Sequence, residues 1–435
     1  MNTASAHRIV IVGGGAGGLE LATRLGHTLG RSGKARVTLV DGSPTHIWKP
    51  LLHEVATGAL NTGEDEVNYF AHAHQHGYEF EYGYMKALDR DSKTIQIDDV
   101  IDHDCTVLRS ARTLGYDTLV LAVGAVANDF GTPGVQEHCM QLNTRDDADR
   151  LRRAILSQSF MASADDQPRR ELRIGIIGAG ATGVELAAEI HHAITEIHNY
   201  GSHMSPDQLR ISIVEAAPRI LAGAPQALSD YATEALQRRN IAVLVNSKVA
   251  AIHARHIELA DGSEIPADIL VWAAGVKAAP WLSQLGLLTN RNGQIEVTSV
   301  LQTVSDKHIF AIGDCAFARD GEGGPPLLAT AQVAHQQARW LANMLENYFA
   351  GREVQPFRFK PQGIMVSLGK HTAVGSLAAV VGPKRDYYVE GRGAKLIYAS
   401  LYRMHQAAVH GWPMAMLLYL GDKLRRIAQP ALKLH

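Results

Sequence analysis

Cysteine is scarce in this sequence, and the few cysteines present are not paired. Among 435 residues only Cys105, Cys139 and Cys315 carry a thiol, and no two of them form a CxxC or CxxxxC motif. This spacing excludes a redox-active dithiol motif and the usual thiolate sites for zinc. It also fits a reducing compartment, so we expect no disulfide chemistry.

A strong charge of one sign and long apolar runs are missing as well. The formal net charge is −2 at pH 7, which excludes a general nucleic-acid binder. The run "WPMAMLLYL" (412–420) has nine apolar residues, whereas about 20 are needed to span a bilayer. The N-terminus "MNTASAHRIVIV" lacks the basic start, apolar core and cleavage site of a secretory signal, so we expect a cytoplasmic protein.

The sequence does contain the signature of a dinucleotide-binding fold near its start. In "RIVIVGGGAGGLELATRLG" an apolar strand runs into a glycine-rich turn and then into helical spacing, and a second strand ends in Asp41, 23 residues beyond Gly18. Such a turn lets a pyrophosphate approach the helix N-terminus, and the acid can bind ribose hydroxyls. The residues predicted to form this loop are Gly13, Gly14, Gly15, Ala16, Gly17 and Gly18.

The same pattern recurs in the middle of the chain, at "LRIGIIGAGATGVELAAEI". A later strand, "RISIVEAA", ends in Glu215, which suits a free ribose 2′-hydroxyl and repels the extra phosphate of NADP. Glu215 therefore favours NADH over NADPH. Arg219 lies nearby in the sequence and could offset part of the repulsion, so we expect this preference to be moderate. The predicted loop residues are Gly178, Gly180, Thr182 and Gly183.

Glu185 follows the last glycine of the second loop by two residues and has two readings. It could simply stabilise the positive end of the helix dipole. It could instead lie near a nicotinamide and take part in the chemistry. The sequence does not decide between the two.

Two dinucleotide sites in one chain indicate electron transfer between FAD, held tightly, and a visiting NAD(P)H. Three more apolar strands end in glycine turns that would lead the chain back to a bound dinucleotide: "YDTLVLAVGA" (116–125), "ADILVWAAGV" (267–276) and "HIFAIGDCA" (308–316). Gly124 and Gly275 belong to the first two of these turns. In the third, Asp314 can accept hydrogen bonds from a flavin ribityl or ribose. The fold class predicted is therefore α/β with two Rossmann-like domains.

The stretch "ATAQVAHQQA" (329–338) places Gln332 and Gln336 one helical turn apart among alanines. A helix here, beginning near residues 325–326, follows the turn at Asp314. Its amides could bind a flat, neutral acceptor with two carbonyl groups, as in a quinone. The alternative is a pair of glutamines that face solvent. Glutamine supplies no proton, so the protons of a quinol need another source.

Over residues 7 to 435 the chain resembles the type II NADH:quinone oxidoreductases, the non-pumping respiratory NADH dehydrogenases of bacteria. The resemblance rests on "HIWKPLLHEVATGAL" (46–60), on the tail "LYRMHQAAVHGW" and on "AQVAHQQ" (331–337), which matches the family motif A-Q-x-A-x-Q-[QE] without departure. It implies tightly bound FAD, with NADH and a quinone as substrates, and no proton pumping. We predict catalytic roles for Gln332, Gln336 and Glu185, and flavin contacts from Lys49 and Ala331; the alternative for Lys49 is a place in a surface loop.

Two rival functions remain open beside this one. A sulfide:quinone oxidoreductase would share the fold and the acceptor, but it needs a cysteine pair near the flavin. A redox-controlled flavin-binding protein would carry out catalysis only incidentally. Turnover with NADH and a soluble quinone analogue would distinguish the three.

The C-terminal tail is basic and amphipathic. Residues 391–435 contain seven Lys or Arg and one acid, Asp422. Trp412 and Tyr419 are residues typical of a membrane interface, so we expect this segment to lie on an anionic lipid surface at the cytoplasmic face of the bacterial inner membrane. A partner chain in a homodimer could use the same apolar surface.

Domain bounds follow from these elements. We predict an FAD-binding domain over 1–135 and 300–350, an NADH-binding domain over 136–299, and a membrane-associating region over 351–435. Two groups of histidines, one at residues 72, 74 and 76 on the face of a possible strand and one at 191, 192 and 198, have no accompanying ligand set. We therefore predict no functional metal.

Overall fold

The computed structural model describes residues 6–60, 62–102, 104–162, 171–200, 204–370, 372–378 and 386–428. The chain divides into two compact units. The first comprises residues 1–48, 66–126 and 276–360, and the second comprises residues 49–65, 127–275 and 361–435. Both units are discontinuous in sequence, because the chain enters each of them more than once.

The helices, in chain order, are α1 Ala16–Leu25, α2 Leu52–Ala56, α3 Thr62–Asp65, α4 Tyr69–His76, α5 Val135–His138, α6 Arg145–Ala162, α7 Ala181–Asn199, α8 Gln226–Gln237, α9 Ala331–Phe349, α10 Gly391–His410 and α11 Trp412–Ala428. A short 3₁₀ turn, Gly313–Cys315, matters for the site described below.

The first half of the strands consists of β1 His7–Val12, β2 Ala35–Asp41, β3 Thr45–His46, β4 Val67–Asn68, β5 Glu79–Tyr82, β6 Met85–Asp89, β7 Thr94–Ile97, β8 Val100–Ile101, β9 Val107–Arg109, β10 Arg112–Gly115, β11 Thr118–Leu121, β12 Val126–Ala127, β13 Met140–Gln141 and β14 Leu172–Ile177. The second half consists of β15 Leu209–Val214, β16 Ile241–Leu244, β17 Val249–His253, β18 His256–Leu259, β19 Glu264–Pro266, β20 Ile269–Trp272, β21 Val276–Lys277, β22 Ile295–Glu296, β23 Gln302–Thr303, β24 Asp306–Ala311, β25 Ala316–Phe317, β26 Gly363–Ser367, β27 Ala373–Ala378 and β28 Asp386–Glu390.

The first unit is built on a six-stranded sheet of order β23-β24-β11-β1-β2-β5. All neighbours pair in parallel except β23 with β24. Strand β11 and the last four residues of β1 are buried, as expected for a parallel sheet covered by helices. Because β1, β11 and β24 end at the same edge, the turns that follow them come together there.

The second unit repeats this plan with a five-stranded parallel sheet of order β13-β20-β14-β15-β16. A separate antiparallel sheet, β26-β27-β28, packs against α7, α8 and α10 of the same unit. The predicted α/β class with two Rossmann-like domains is confirmed. Each "strand, glycine loop, helix, strand" pattern of the sequence forms the first βαβ unit of one sheet.

Two details of the sequence reading are wrong. The quinone-motif helix begins at Ala331, not near residue 325, because the side chain of Thr330 accepts the N–H of Val333 and caps the helix there. The histidines at 72, 74 and 76 lie on helix α4 and not on a strand face.

The tail forms two packed helices, α10 and α11, joined at Gly411. Arg403 and Arg425 both pair with Asp422, and the Arg403 guanidinium lies 5.3 Å from the ring centre of Tyr419. Large apolar side chains remain exposed along both helices: Leu396, Met404, Trp412, Met414, Met416, Leu417, Tyr419, Leu420 and Leu424. Among the described residues, no helix combines the length and the apolar character that crossing a membrane requires. Residues 429–435, with Lys433, lie outside the described residues.

Candidate functional site

Each glycine loop is held by close backbone contact at its first and last glycines. A Cβ on Gly13 would stand 2.5 Å from the carbonyl oxygen of Ala122, and one on Gly18 would stand 1.8 Å from the carbonyl oxygen of Gly13. In the second unit Gly178 and Gly183 are confined in the same way. Only glycine fits at these positions, so the loop shape depends on them.

The middle glycine of each loop faces open space instead. Around the Cβ positions of Gly15 and Gly180 no atom lies within 4 Å, and both residues are the N-caps of helices. The free N–H groups of a helix N-terminus therefore border a gap that a side chain would fill. A dinucleotide pyrophosphate fits this arrangement in both units.

The acid at the end of the second strand is fixed in the same manner in both units. The Asp41 carboxylate accepts the N–H of Gly14 at 2.6 Å and that of Ser43 at 2.8 Å. The Glu215 carboxylate accepts the N–H groups of Ala179 and Ala217, both at 2.8 Å. An ionised carboxylate has about four acceptor positions, so lone pairs remain for a ribose diol.

Arg219 points away from the role that its place in the sequence allowed. Its guanidinium donates to the carbonyl oxygens of Leu221 and Ala222, at 3.3 and 2.6 Å. The arginine is therefore engaged by its own loop, and its charge is directed toward backbone carbonyls.

The turn after β24 is held by two glutamine side chains. The N–H of Gly313 donates to Gln337 Oε1 at 2.7 Å, and Gln294 Nε2 donates to the carbonyl oxygen of Asp314 at 3.0 Å. Gln337 is 1% exposed, and its Nε2 has no hydrogen-bond partner among the described residues. Sequence reasoning quoted Gln337 within the motif but assigned it no role.

The three glutamines of α9 thus differ in what they bind. Gln336 pairs twice with the backbone of Lys360: its Nε2 donates to the carbonyl oxygen at 2.8 Å, and its Oε1 accepts the N–H at 2.9 Å. Gln332 is half-buried on the first turn of the helix, next to Ala331. A quinone contact by Gln336 would require the pairing with Lys360 to open.

Helix α9 is also joined to the first glycine-loop helix by a buried charge network that sequence reasoning missed. Glu20 on α1 is fully buried and pairs with His335 at 2.5 Å, with Arg339 at 2.6 Å and with Arg24 at 2.9 Å. Burial alone would raise its pKa, but hydrogen bonds and charge from His335 and Arg339 lower the pKa of Glu20 to about 2. The charged network fixes α9 against α1.

In the second unit Glu185 lies in a buried cluster. Its Oε1 accepts the N–H of Ser367 at 2.9 Å, and the Tyr398 hydroxyl also hydrogen-bonds to the carboxyl. Lys395 Nζ donates to Ser367 Oγ at 2.7 Å, and His53 Nδ1 lies 3.8 Å from Glu185 Oε2. These partners come from β26, α10 and α2, and the glutamate does not bind the N-terminal N–H groups of its own helix.

Burial disfavours the charged forms of Glu185 and His53. Burial, together with the nearby Glu54 carboxylate, raises the pKa of Glu185 to about 8, although Ser367, Tyr398 and Lys395 oppose the shift. Burial also lowers the pKa of His53 to about 3, helped by the charge of Lys395. The His53–Glu185 contact is then no ion pair. Glu185 carries a proton at neutral pH.

The remaining predicted residues occupy varied positions. Gly124 has a φ of +68° with open space at its Cβ position, whereas a Cβ on Gly275 would stand 2.7 Å from the ring of Phe130. Thr182 is exposed on the first turn of α7. Lys49 is exposed at the start of a 3₁₀ turn in the second unit, and its flavin contact stays a prediction.

Residues 7–338 match the family described as pyridine nucleotide-disulphide oxidoreductase. A type II NADH:quinone oxidoreductase of Haemophilus influenzae is 40% identical over 445 residues, covering 98% of this chain and 99% of the relative. The chain belongs to the type II NADH:quinone oxidoreductases. A demethylphylloquinone reductase of Synechocystis is 31% identical, over 84% of this chain and 86% of its own.

Among solved structures, NDH2 of Plasmodium falciparum in complex with NADH has a TM-score of 0.82 at 20% identity and covers 98% of this chain and 100% of its own. That likeness shows the fold. The sulfide:quinone oxidoreductase alternative is not favoured for this type II enzyme. Its three cysteines are all free thiols, and burial raises the pKa of Cys315 to about 12, so that thiol is inert at neutral pH.

Proposed function

We propose how this chain carries out the reaction of its family. The protein is an FAD-dependent NADH:quinone oxidoreductase that does not pump protons. The observation that carries the proposal is the repeated arrangement of an open glycine loop with an acid fixed to its backbone, at Gly15 with Asp41 and at Gly180 with Glu215. Two such arrangements provide one site for each of two dinucleotides.

FAD is assigned to the first unit and NADH to the second, whose bounds differ in places from the domains predicted over 1–135 with 300–350 and over 136–299. When bound, FAD accepts a hydride from NADH and passes two electrons to a quinone. Asp41 binds the ribose of the flavin dinucleotide, Asp314 binds the ribityl or ribose, and the turn at Gly124 leaves room for the cofactor. The N-terminus of α9 adds its partial positive charge beside the flavin.

NADH is preferred over NADPH because of Glu215. Two backbone hydrogen bonds fix the position of its carboxylate at the end of the strand, where a 2′-phosphate would meet a like charge. Arg219 does not offset this repulsion, since it donates to the carbonyls of Leu221 and Ala222.

The quinone is assigned to the surface of α9. Gln332 and Ala331 on its first turn supply a neutral donor next to a small residue, which suits a flat molecule with two carbonyl acceptors. Gln336 contributes by fixing the backbone at Lys360 and becomes a direct donor if that pairing opens.

Glu185 is assigned as a buried group of the second unit that holds a proton and can release it during turnover. Its carboxyl is protonated at neutral pH because burial raises its pKa to about 8. The Ser367 N–H and the Tyr398 hydroxyl hydrogen-bond to it and would steady the carboxylate left behind after proton release. His53, held neutral beside it, adds no competing charge.

The tail helices α10 and α11 are assigned to an anionic lipid surface, at the cytoplasmic face of the bacterial inner membrane. Their exposed apolar side chains, with Trp412 and Tyr419 among them, suit the interface between headgroups and acyl chains. Lys395 does not contribute there, because it donates to Ser367 inside the unit. The rival use of this surface is a homodimer contact, which would persist without lipid.

Anaerobic stopped-flow mixing tests the reaction as a whole. NADH should bleach the bound flavin faster than NADPH, sulfide should not bleach it, and a soluble quinone analogue should restore the colour. A protein purified without FAD, or bleached by sulfide and not by NADH, would contradict the proposal.

A further inference from the structure

The turn Gly313–Cys315 is a short piece of backbone that carries Asp314 beyond the end of β24. Gly313 has a φ of +71°, in the left-handed region, and the strand ladder has already ended at Ala311. The polar groups of such a turn must find partners outside the sheet. Two glutamines supply these partners: Gln337 accepts the N–H of Gly313, and Gln294 donates to the carbonyl oxygen of Asp314.

Gln337 is well placed to make this contact a strong constraint. It projects from the buried face of α9, and Ala334 on the same face packs against both glycine turns: a Cβ on Gly17 would stand 3.2 Å from the Ala334 carbonyl oxygen, and one on Gly313 would stand 3.5 Å from the Ala334 Cβ. The bond to Gly313 forms away from water, where an unmade hydrogen bond is expensive.

The amide nitrogen of Gln337 indicates a ligand. Its Nε2 is buried and has no hydrogen-bond partner among the described residues, although the side chain is 1% exposed. A buried N–H donor is normally satisfied, so its acceptor lies beyond the described residues, and a bound cofactor can supply one. An isoalloxazine ring or a ribityl chain carries several such acceptors.

We propose that Gln337 is a positioning residue for the flavin: its Oε1 fixes the turn that presents Asp314, its Nε2 donates to the bound cofactor, and Gln294 steadies the same turn from the other side. The third glutamine of the α9 motif then serves the flavin and not the quinone. This inference rests on the proposed binding of FAD to the first unit.

Release of FAD from the holoenzyme, followed by flavin fluorescence after dilution, tests the assignment in three variants. Gln337→Met should raise the Kd for FAD about tenfold or more, because it removes both hydrogen bonds at a dry site. Gln337→Glu keeps an acceptor for Gly313 but has no donor for the cofactor, so it should recover only the part of the loss that comes from the turn and should still shift the flavin potential. Gln336→Met, on the same helix, should leave FAD binding unchanged because Gln336 pairs with Lys360.

The flavin midpoint potential gives a readout that a merely structural role would not move. Loss of a donor disfavours the electron-rich reduced flavin, so Gln337→Met should have a more negative potential, whereas Gln336→Met should match the wild type. A Gln337→Met protein that melts earlier but keeps both the Kd and the potential would overturn the inference. If Gln337→Met does not fold, Gln294→Met and Gln337→Glu test the inference in its place. Should both of these variants keep the wild-type Kd for FAD and the wild-type potential, the inference is overturned. A wild-type protein that binds no FAD would instead overturn the proposed function.

Discussion

Replacing Glu185 with Gln tests whether the buried carboxyl holds a proton that is released during turnover. The amide keeps the size and can still accept from the Ser367 N–H, but it has no proton to release at any pH. Because burial raises the pKa of Glu185 to about 8, the carboxyl favours its protonated form at pH 7 and loses the proton at higher pH. The rate of quinone reduction by the wild type should therefore fall as pH rises, with a midpoint near 8.

The variant should lose this pH dependence together with the activity. Removing a general acid costs about 10²- to 10⁴-fold, so oxidation of the reduced flavin by a quinone analogue should slow by at least about 10². Bleaching by NADH should change little, because hydride transfer needs no proton from this group. Glu189→Gln is the matched control: it is a second buried acid one turn further along α7, and its loss should leave the midpoint near 8.

Unfolding by urea provides an independent measure of the same group. The folded-state pKa of Glu185 lies above the unfolded value of 4.5, so the contribution of Glu185 to stability is fully present below pH 4.5 and is lost as pH rises toward 8. The loss is about 1.4 kcal/mol per pH unit, and on the order of 4 kcal/mol across the window. Gln does not titrate, so the free energy of unfolding of the variant, relative to that of the wild type, should rise by that amount between pH 5 and 8. Equal pH profiles of both rate and stability in the two proteins would refute the reasoning.

Three further outcomes are expected. Glu215→Gln should narrow the preference for NADH, and an unchanged ratio of kcat/KM for NADH and NADPH would exclude Glu215 as the discriminating residue. Gln336→Leu keeps the helix but frees the backbone of Lys360. Loss of a hydrogen bond worth about 0.5–1.5 kcal/mol should reduce kcat/KM for quinone roughly two- to tenfold and leave flavin bleaching by NADH unchanged. Slower bleaching by NADH with normal reoxidation by quinone would contradict the quinone assignment. Deleting residues 411–435 should move the enzyme to the soluble fraction with FAD still bound, whereas a truncated protein that pellets with membranes would contradict the lipid assignment.

Several features of the molecule follow from local sequence pattern. The glycine loops could be predicted because only glycine permits the backbone contacts at Gly13 and Gly178. The acids Asp41 and Glu215 could be predicted because neighbouring strands of a parallel sheet end at the same edge, where the glycine loop also lies. The α9 motif was recognisable, yet the start of the helix was predicted near residues 325–326 and lies at Ala331. The cap at Thr330, and not the prolines before it, sets where the helix begins.

The partners of buried polar groups depend on tertiary structure. Glu20 and His335 are 315 residues apart, and Glu185 and Ser367 are 182 apart, so no spacing in the sequence relates them. The pKa of an acid depends on what packs around it: burial with few opposing charges raises the pKa of Glu185 to about 8, whereas His335 and Arg339 lower that of Glu20 to about 2. Likewise, three glutamines of one short motif are alike in sequence, and only packing makes one bind Lys360 and another bind Gly313. Local chemistry determined the dinucleotide loops, but burial and long-range pairing decided which side chains hold protons and which hold the backbone.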